Sequence, residues 1–379
     1  MAAPVGSTVE EVAAHRLAAQ RLTGHPLPSA ADAVRHLLAV QCQDAPLSAW
    51  SLGMRAEAPT YAAVLAEQGS GAFVRTHVLR PTWHFVAAED LRWLLALTSA
   101  KVLAGMAARH RQLGLDDDRV VGAAVEALAE LLVGRNAMTR KAIGPLLAAQ
   151  GHPGPGERLA HLLLVAELQG VICSGPLGGR SGREHTYVLA EEWLPARACT
   201  PEPADRVEAL VWLVRRFLAG HGPAAVSDVV RWAAVKGADV RRGLDGCRDT
   251  VSSVVVEGTE LWFPTQTPPR RRHDGGAGGR GPANAFLLPT FDEALLTFVA
   301  PTFPRPDGHP LGASRITPSA VGGGAVVVDG HDLGRWRRVV GPKRIAVTID
   351  LAPGTSAAVR RRVEPAADRL AEFFELPRR

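Results

Sequence analysis

The chain has 379 residues, 46% of them hydrophobic and 21% charged, with a formal net charge of +5. That length exceeds one ordinary core and implies several folding units, and the balance is that of a soluble globular protein, not a disordered or fibrous one. No uninterrupted apolar run approaches the roughly 20 residues a membrane helix needs, and MAAPVGSTVEEVAAHR lacks the basic-then-apolar pattern of a secretion signal; the expected compartment is the cytoplasm.

The four cysteines, Cys42, Cys173, Cys199 and Cys247, have no spacing that fits a zinc site or an iron–sulfur cluster. They read as reduced thiols, and neither metal nor cofactor is expected. The basic residues are almost all arginine; Lys101, Lys141, Lys236 and Lys343 are the lysines. Arginine forks suit phosphates and base edges. A GC-rich coding sequence produces the same excess, so the composition allows an anionic partner without requiring nucleic acid.

In chain order, TVEEVAAHRLAAQRL and SAADAVRHLLAV have helical apolar spacing, with Thr8 and Ser29 placed as N-caps. A third helix is expected near LSAWSLGMRA, followed by two strands in FVRTHVLRPTWHFV broken near Pro81. AAEDLRWLLALTSAKVLAGMAARHRQLG opens a second segment as a long helix. DDDRVVGAAVEALAELLVG, MTRKAIGPLLAAQG and ERLAHLLLVAELQG add three more, the first with acids at its N-terminus and the last two stopping at glycine. VICSGPLGGRSGREHTYVL reads as a hairpin with a Gly- and Arg-rich tip. A third segment has helices in ADRVEALVWLVRRFLAGHG, AVSDVVRWAAVKG and ADVRRGLDGC, then strands in TVSSVVVEG and TELWFP.

Helices followed by a two-stranded wing, three times over, predict an α+β fold of tandem winged-helix units. The expected division is 1–88, 89–200 and 201–267 for these units, a basic Pro/Gly/Arg linker at 268–283, and a β-rich subdomain with a terminal helix at 284–379. That subdomain reads as a small barrel or other strand-rich unit, and its last helix, SAAVRRRVEPAADRLAEFFEL, as interrupted near Pro365.

No Walker loop, dinucleotide fingerprint, HExxH or GxSxG occurs. His77 and His84 sit close on the first hairpin, but their odd spacing puts them on opposite faces of unbulged strands, which argues against a shared metal. RPTWH brings together Arg80, Thr82, Trp83 and His84; Trp83, Trp232 and Trp336 default to core positions. Arg75, Arg80, Thr82 and His84 on the first hairpin, and Arg180, Arg183 and His185 on the second, are the candidate DNA contacts. LLAVQCQDAPLSAW closes an apolar helical pattern with Gln41 and Gln43. By position alone that pair is a helix-end pair facing solvent or capping carbonyls.

Taken together, AVQCQDAP, RTHVLRPTWHFVAAEDLRWLL, ERLAHLLLVAELQGVICSG, HTYVL, HGPAAVSDVVRW, LLPTFDEALLTF and VVVDGHDLGRW resemble the AlkZ-type winged-helix DNA glycosylases along nearly the whole chain. The resemblance implies tandem winged helices around a DNA-sized concave face. It implies a catalytic Gln–apolar–Gln signature at Gln41, Cys42 and Gln43, with cysteine in the middle as a small hydrophobe. It also implies monofunctional removal of bulky N7-alkylguanine from duplex DNA by a monomer needing no obligate protein partner, in self-resistance to a genotoxic natural product. No lysine sits in a nucleophile motif, so no Schiff-base lyase is expected. Two readings compete: a non-catalytic winged-helix DNA-binding protein, and an interaction scaffold without a nucleic-acid role.

Overall fold

A computed structural model describes residues 8–57, 59–179, 184–195, 202–266, 285–300, 302–305 and 322–378. Arg180, Arg183 and the whole of the basic linker at 268–283 lie outside these residues. The chain divides into two compact units. The first comprises Met1–Val64, Leu210–Trp232 and Lys236–Arg379; the second comprises Leu65–Ala209 and Ala233–Val235.

Helix α1 (Val9–Ala19) starts at a reciprocal capping box, Thr8 with Glu11. In α2 (Ala30–Leu37) the Ser29 hydroxyl accepts from the Asp32 amide. Helix α2 does not run on through the glutamines as the apolar pattern suggested. Leu38 adopts φ 67°, breaking the helix, and Ala39–Gln41 form the short strand β1. Helix α3 (Ala45–Gly53) then begins at Asp44, whose side chain accepts from the Leu47 amide, with proline in the first turn. Helix α4 (Tyr61–Gly69) follows, an element the sequence pattern did not separate.

In the second unit, β2 (Phe73–Val78) and β3 (Arg80–Ala87) form an antiparallel pair with an irregularity after His77. The chain reverses at Leu79, φ 63°, and not at Pro81, which lies within β3. Helix α5 (Leu91–Gln112) is long and apolar enough to cross a bilayer by length and composition. It also buries Trp93, Leu94, Leu95 and Thr98 inside the protein, as a core helix does. Helices α6 (Asp118–Leu132), α7 (Arg140–Ala149) and α8 (Glu157–Leu168) pack Leu128, Leu147 and Leu162 with Ile172 and Tyr187 into one core. Gly151 and Gly170, at φ 82° and 71°, supply the left-handed residues that end α7 and α8. Strands β4 (Met138–Thr139), β5 (Ile172–Ser174) and β6 (Thr186–Leu189) form a sheet in the order β4-β6-β5, and α9 (Ala190–Trp193) follows.

Helix α10 (Arg206–His221) leads back into the first unit, where α11 (Val226–Ala233) and α12 (Gly237–Asp245) precede the hairpin β7 (Val251–Val256) and β8 (Thr259–Pro264). Strand β9 (Ala285–Pro289), the short helix α13 (Glu293–Leu296), and strands β10 (Gly323–Val328), β11 (His331–Val340) and β12 (Ile345–Leu351) come next. Among the described residues the four strands make an antiparallel sheet in the order β12-β11-β10-β9, with no closing pair between β12 and β9. At Gly324 a Cβ would fall 1.9 Å from the Leu288 carbonyl, so only glycine lets β10 lie this close to β9.

Helix α14 (Ala357–Phe373) runs unbroken through Pro365. That proline is on the solvent face, where the carbonyl it leaves unbonded can be hydrated. Ala13 and Leu17 of α1 share a core with Leu288, Ala325 and Val327 of this sheet, so the two ends of the chain fold as one body.

Candidate functional site

The glutamine pair sits in a strand–turn–helix joint. Gln41 ends β1 and is 8% exposed, Cys42 is fully buried, and Gln43 is exposed immediately before the N-cap of α3. The backbone of Gln41 is held on both sides. Its amide donates to Glu293 Oε1 at 2.8 Å, and its carbonyl accepts from the Ser48 hydroxyl at 3.0 Å.

Glu293 is 1% exposed, and its other oxygen is also occupied. Oε2 accepts from Trp232 Nε1 at 2.8 Å and from the Thr297 hydroxyl at 3.0 Å, with His221 Nε2 at 3.6 Å. The neighbouring acid grips the far end of α3. Asp292 takes a two-pronged contact from Arg55, NH2 to Oδ1 at 2.8 Å and NH1 to Oδ2 at 3.0 Å, plus the Ser51 hydroxyl at 2.6 Å. Arg55 also donates to the carbonyls of Gln20 and Ser51. Both members of this ion pair are fully buried, a placement tolerated only because their hydrogen-bonding capacity is used. Residues 41–55 are therefore fixed at both ends by two consecutive acids.

These residues escaped the sequence reading as individual sites, although LLPTFDEALLTF carried the signal: two acids inside an otherwise apolar run must be paired or exposed. Trp232 was read as core, which it is, but its indole N–H has a specific partner. Trp336 is also buried, and its N–H donates to the Leu288 carbonyl at 3.0 Å.

The second unit holds all of the described candidate DNA contacts. His77 pairs across the hairpin with Trp83, and His84 with Thr76, so the two histidines do face opposite sides. His84 is 0% exposed. Its Nδ1 donates to the Thr82 carbonyl at 2.8 Å, which leaves Nε2 to accept from Arg80 at 3.3 Å. Thr82 Oγ1 is buried with no partner.

On the other face, the Arg75 guanidinium lies 4.0 Å from the centre of the Trp83 ring. Trp83 packs on His77 at 4.2 Å and on His185 at 4.9 Å. His77 Nδ1 donates to Glu167 Oε2 at 2.5 Å. Glu167 is 0% exposed, its Oε1 has no partner, and burial pushes its pKa above the usual carboxylate range against the pull of His77 and Arg75. His185 is not on an exposed tip: it packs against Trp83 and Tyr187, and burial, with Arg75 and His77 nearby, lowers its pKa to about 3. An open cleft of about 410 Å³ runs past it, lined by Thr139, Arg140, Lys141, Pro155 and Glu184. Among the described residues no cluster of three or more His, Cys, Asp or Glu side chains could hold a metal ion.

Chemically, the first unit offers a rigid backbone carrying two amides, one buried and one exposed, that can orient water or a polar substrate group. The second offers arginine, aromatic and histidine groups on one hairpin face.

A family model described as DNA glycosylase AlkZ-like matches residues 34–373. An interstrand DNA cross-link repair glycosylase of Streptomyces sahachiroi is 25% identical over 295 residues, covering 76% of each protein. The solved structure of the Streptomyces sahachiroi DNA glycosylase AlkZ covers 100% of both chains at a TM-score of 0.67 and 23% identity, a likeness in fold. With the family's model spanning all but the chain's edges, this protein belongs to the AlkZ-like DNA glycosylases.

Proposed function

We propose that this glycosylase hydrolyses the N-glycosidic bond of bulky N7-alkylguanine adducts in duplex DNA, interstrand cross-links among them, and leaves an abasic site. The cross-link is the substrate named for the Streptomyces relative. Alkylation at N7 makes guanine cationic and already a good leaving group, so no strong acid is needed at the base. As the N9–C1′ bond breaks, its electron pair moves onto the purine and positive charge develops on the sugar. Water then adds at C1′ and its proton passes to solvent. Gln41 and Gln43 orient that water, their carbonyl dipoles facing the cationic sugar and their NH2 groups anchoring phosphate or the partner amide.

The observation that carries the reading is the hold on Gln41: its amide and carbonyl are both tied to buried side chains, the rigidity that positioning catalysis needs. The three helical segments with their hairpins act as tandem winged helices that grip the duplex mainly through phosphates, with Arg75 and Arg80 contributing. The enzyme works as a monomer, in self-resistance to a DNA-alkylating natural product.

The test is base release from duplex DNA carrying a bulky N7-alkylguanine, read by mass spectrometry and by alkaline cleavage. A Gln41→Ala/Gln43→Ala variant and a no-enzyme control run beside it. Release by the wild type and its loss in a folded variant support the proposal. Tight duplex binding without release, across a panel of adducts, overturns it in favour of a non-catalytic DNA-binding role.

A further inference from the structure

The Gln41 amide, the Trp232 indole and the Thr297 hydroxyl come from three distant stretches of sequence, and all three donate to one buried carboxylate. A solvated glutamate could not select this geometry. The Thr297 contact lies within the turn beginning at Glu293, but Gln41 is 252 residues away and Trp232 is 61. We infer that Glu293 is a positioning residue for catalysis: through its hydrogen bond to the Gln41 main chain it sets where the glutamine pair meets the substrate. This rests on the glutamine reading above and extends it to a residue sealed from solvent at 1% exposure.

The bonding pattern allows a test that separates positioning from general support of the fold. In Glu293→Gln the side chain keeps its reach but has only one acceptor oxygen. If the amide oxygen serves Gln41, the amide NH2 must face the Trp232 N–H, donor against donor. Removing that N–H with Trp232→Phe relieves the conflict and leaves the amide oxygen free for Gln41. Positioning therefore predicts that the second substitution rescues the first. A purely structural role predicts that the two losses add.

The measurements are the single-turnover rate of base release and the dissociation constant for adducted duplex, taken on the full-length protein. The expected result for E293Q is a rate about tenfold or more below wild type with DNA affinity within about twofold, because small misplacements of catalytic groups are costly. The E293Q/W232F double variant should recover to within about threefold of wild type. A wild-type rate in E293Q overturns the proposal, as does a double variant slower than either single one.

Should E293Q fail to fold, Thr297→Val reads the same carboxylate more gently, removing one donor at nearly constant shape. A rate about two- to fivefold lower supports the role, and an unchanged rate overturns it. A parallel Gln41→Ala/Gln43→Ala variant keeps the two readings apart. If that variant still releases base, the glutamine mechanism fails and this inference falls with it. If it is inactive while E293Q runs at the wild-type rate, this inference fails alone.

Discussion

Glu293 in the first unit and Glu167 in the second are both sealed from solvent, at 1% and 0% exposure, and they are satisfied in different ways. Glu293 receives the Gln41 amide on one oxygen and a tryptophan and a threonine on the other. Glu167 receives a single histidine on Oε2, and its Oε1 has no partner. A buried carboxylate surrounded by donors acts as a fixed joint, because every lone-pair direction it uses is tied to a different part of the chain. One with an idle oxygen and a titratable partner keeps its desolvation penalty and stays sensitive to protons. The first kind fixes geometry. The second kind, beside Arg75 and Trp83, holds a carboxyl whose pKa burial raises.

The largest effect that would break this contrast is on stability. Glu293→Ala leaves three donors without their acceptor and should lower the unfolding free energy by roughly 3–5 kcal/mol, read from the denaturant midpoint. A loss under about 1 kcal/mol would mean that water replaces the carboxylate freely, and Glu293 would not be a joint.

Next in size is the acid response of the second unit. Burial depresses the His185 pKa to about 3, so the folded state resists taking up its proton. Stability from this group is complete above the unfolded value of about 6.5 and is lost as pH falls toward 3. His185→Phe should flatten the stability curve across that window, measured by melting temperature against pH. An equal acid slope in wild type and variant would place the sensitivity elsewhere.

Glu167 has the opposite sign. Its folded pKa is raised, so the folded form binds the extra proton and the penalty for ionisation grows as pH climbs above the unfolded value of 4.5. Glu167→Gln keeps an acceptor for His77 and removes that penalty. The variant's stability relative to wild type should rise with pH from there until the folded pKa is passed, and a relative stability that falls with pH would contradict it. The smallest effect belongs to the exposed pair Arg109–Glu157, where side chains are about half exposed on both partners. Arg109→Ala should leave the melting temperature within error, since solvent screens such pairs whatever their geometry.

Much of the local structure was legible in the sequence because it is set by local chemistry. Thr8, Ser29 and the acids before α6 act as the caps their residue types suggest, and Gly151 and Gly170 end their helices. The glutamines were misplaced onto a helix end because Leu38 carries a positive φ that no side-chain preference announces. Pro365 misled in the other direction: on a solvent face, a missing N–H is cheap enough for the helix to continue. The acid that holds the Gln41 amide was invisible for a different reason. Glu293 is 252 residues away, and pairing at such range is decided by tertiary packing, not by any period in the pattern. The sequence pattern favours His84 over His77 as a DNA contact, but the hairpin register puts the His84 ring wholly inside and sets His77 against a buried acid.

Asp292 and Glu293 are adjacent, one the extended N-cap of α13 and the other its first helical residue, and their side chains reach different partners. One reaches Arg55 and the other reaches Gln41. Their order cannot be exchanged, and a one-residue insertion or deletion between Pro289 and Asp292 would move one acid toward the other's target and leave the second target without an acid. Surface loops of this enzyme can drift in length over evolutionary time, but here the reading frame of the chain and the geometry of the glutamines are the same constraint. A lineage that loses a residue in this turn loses the joint in one step, with no intermediate length at which half of it works.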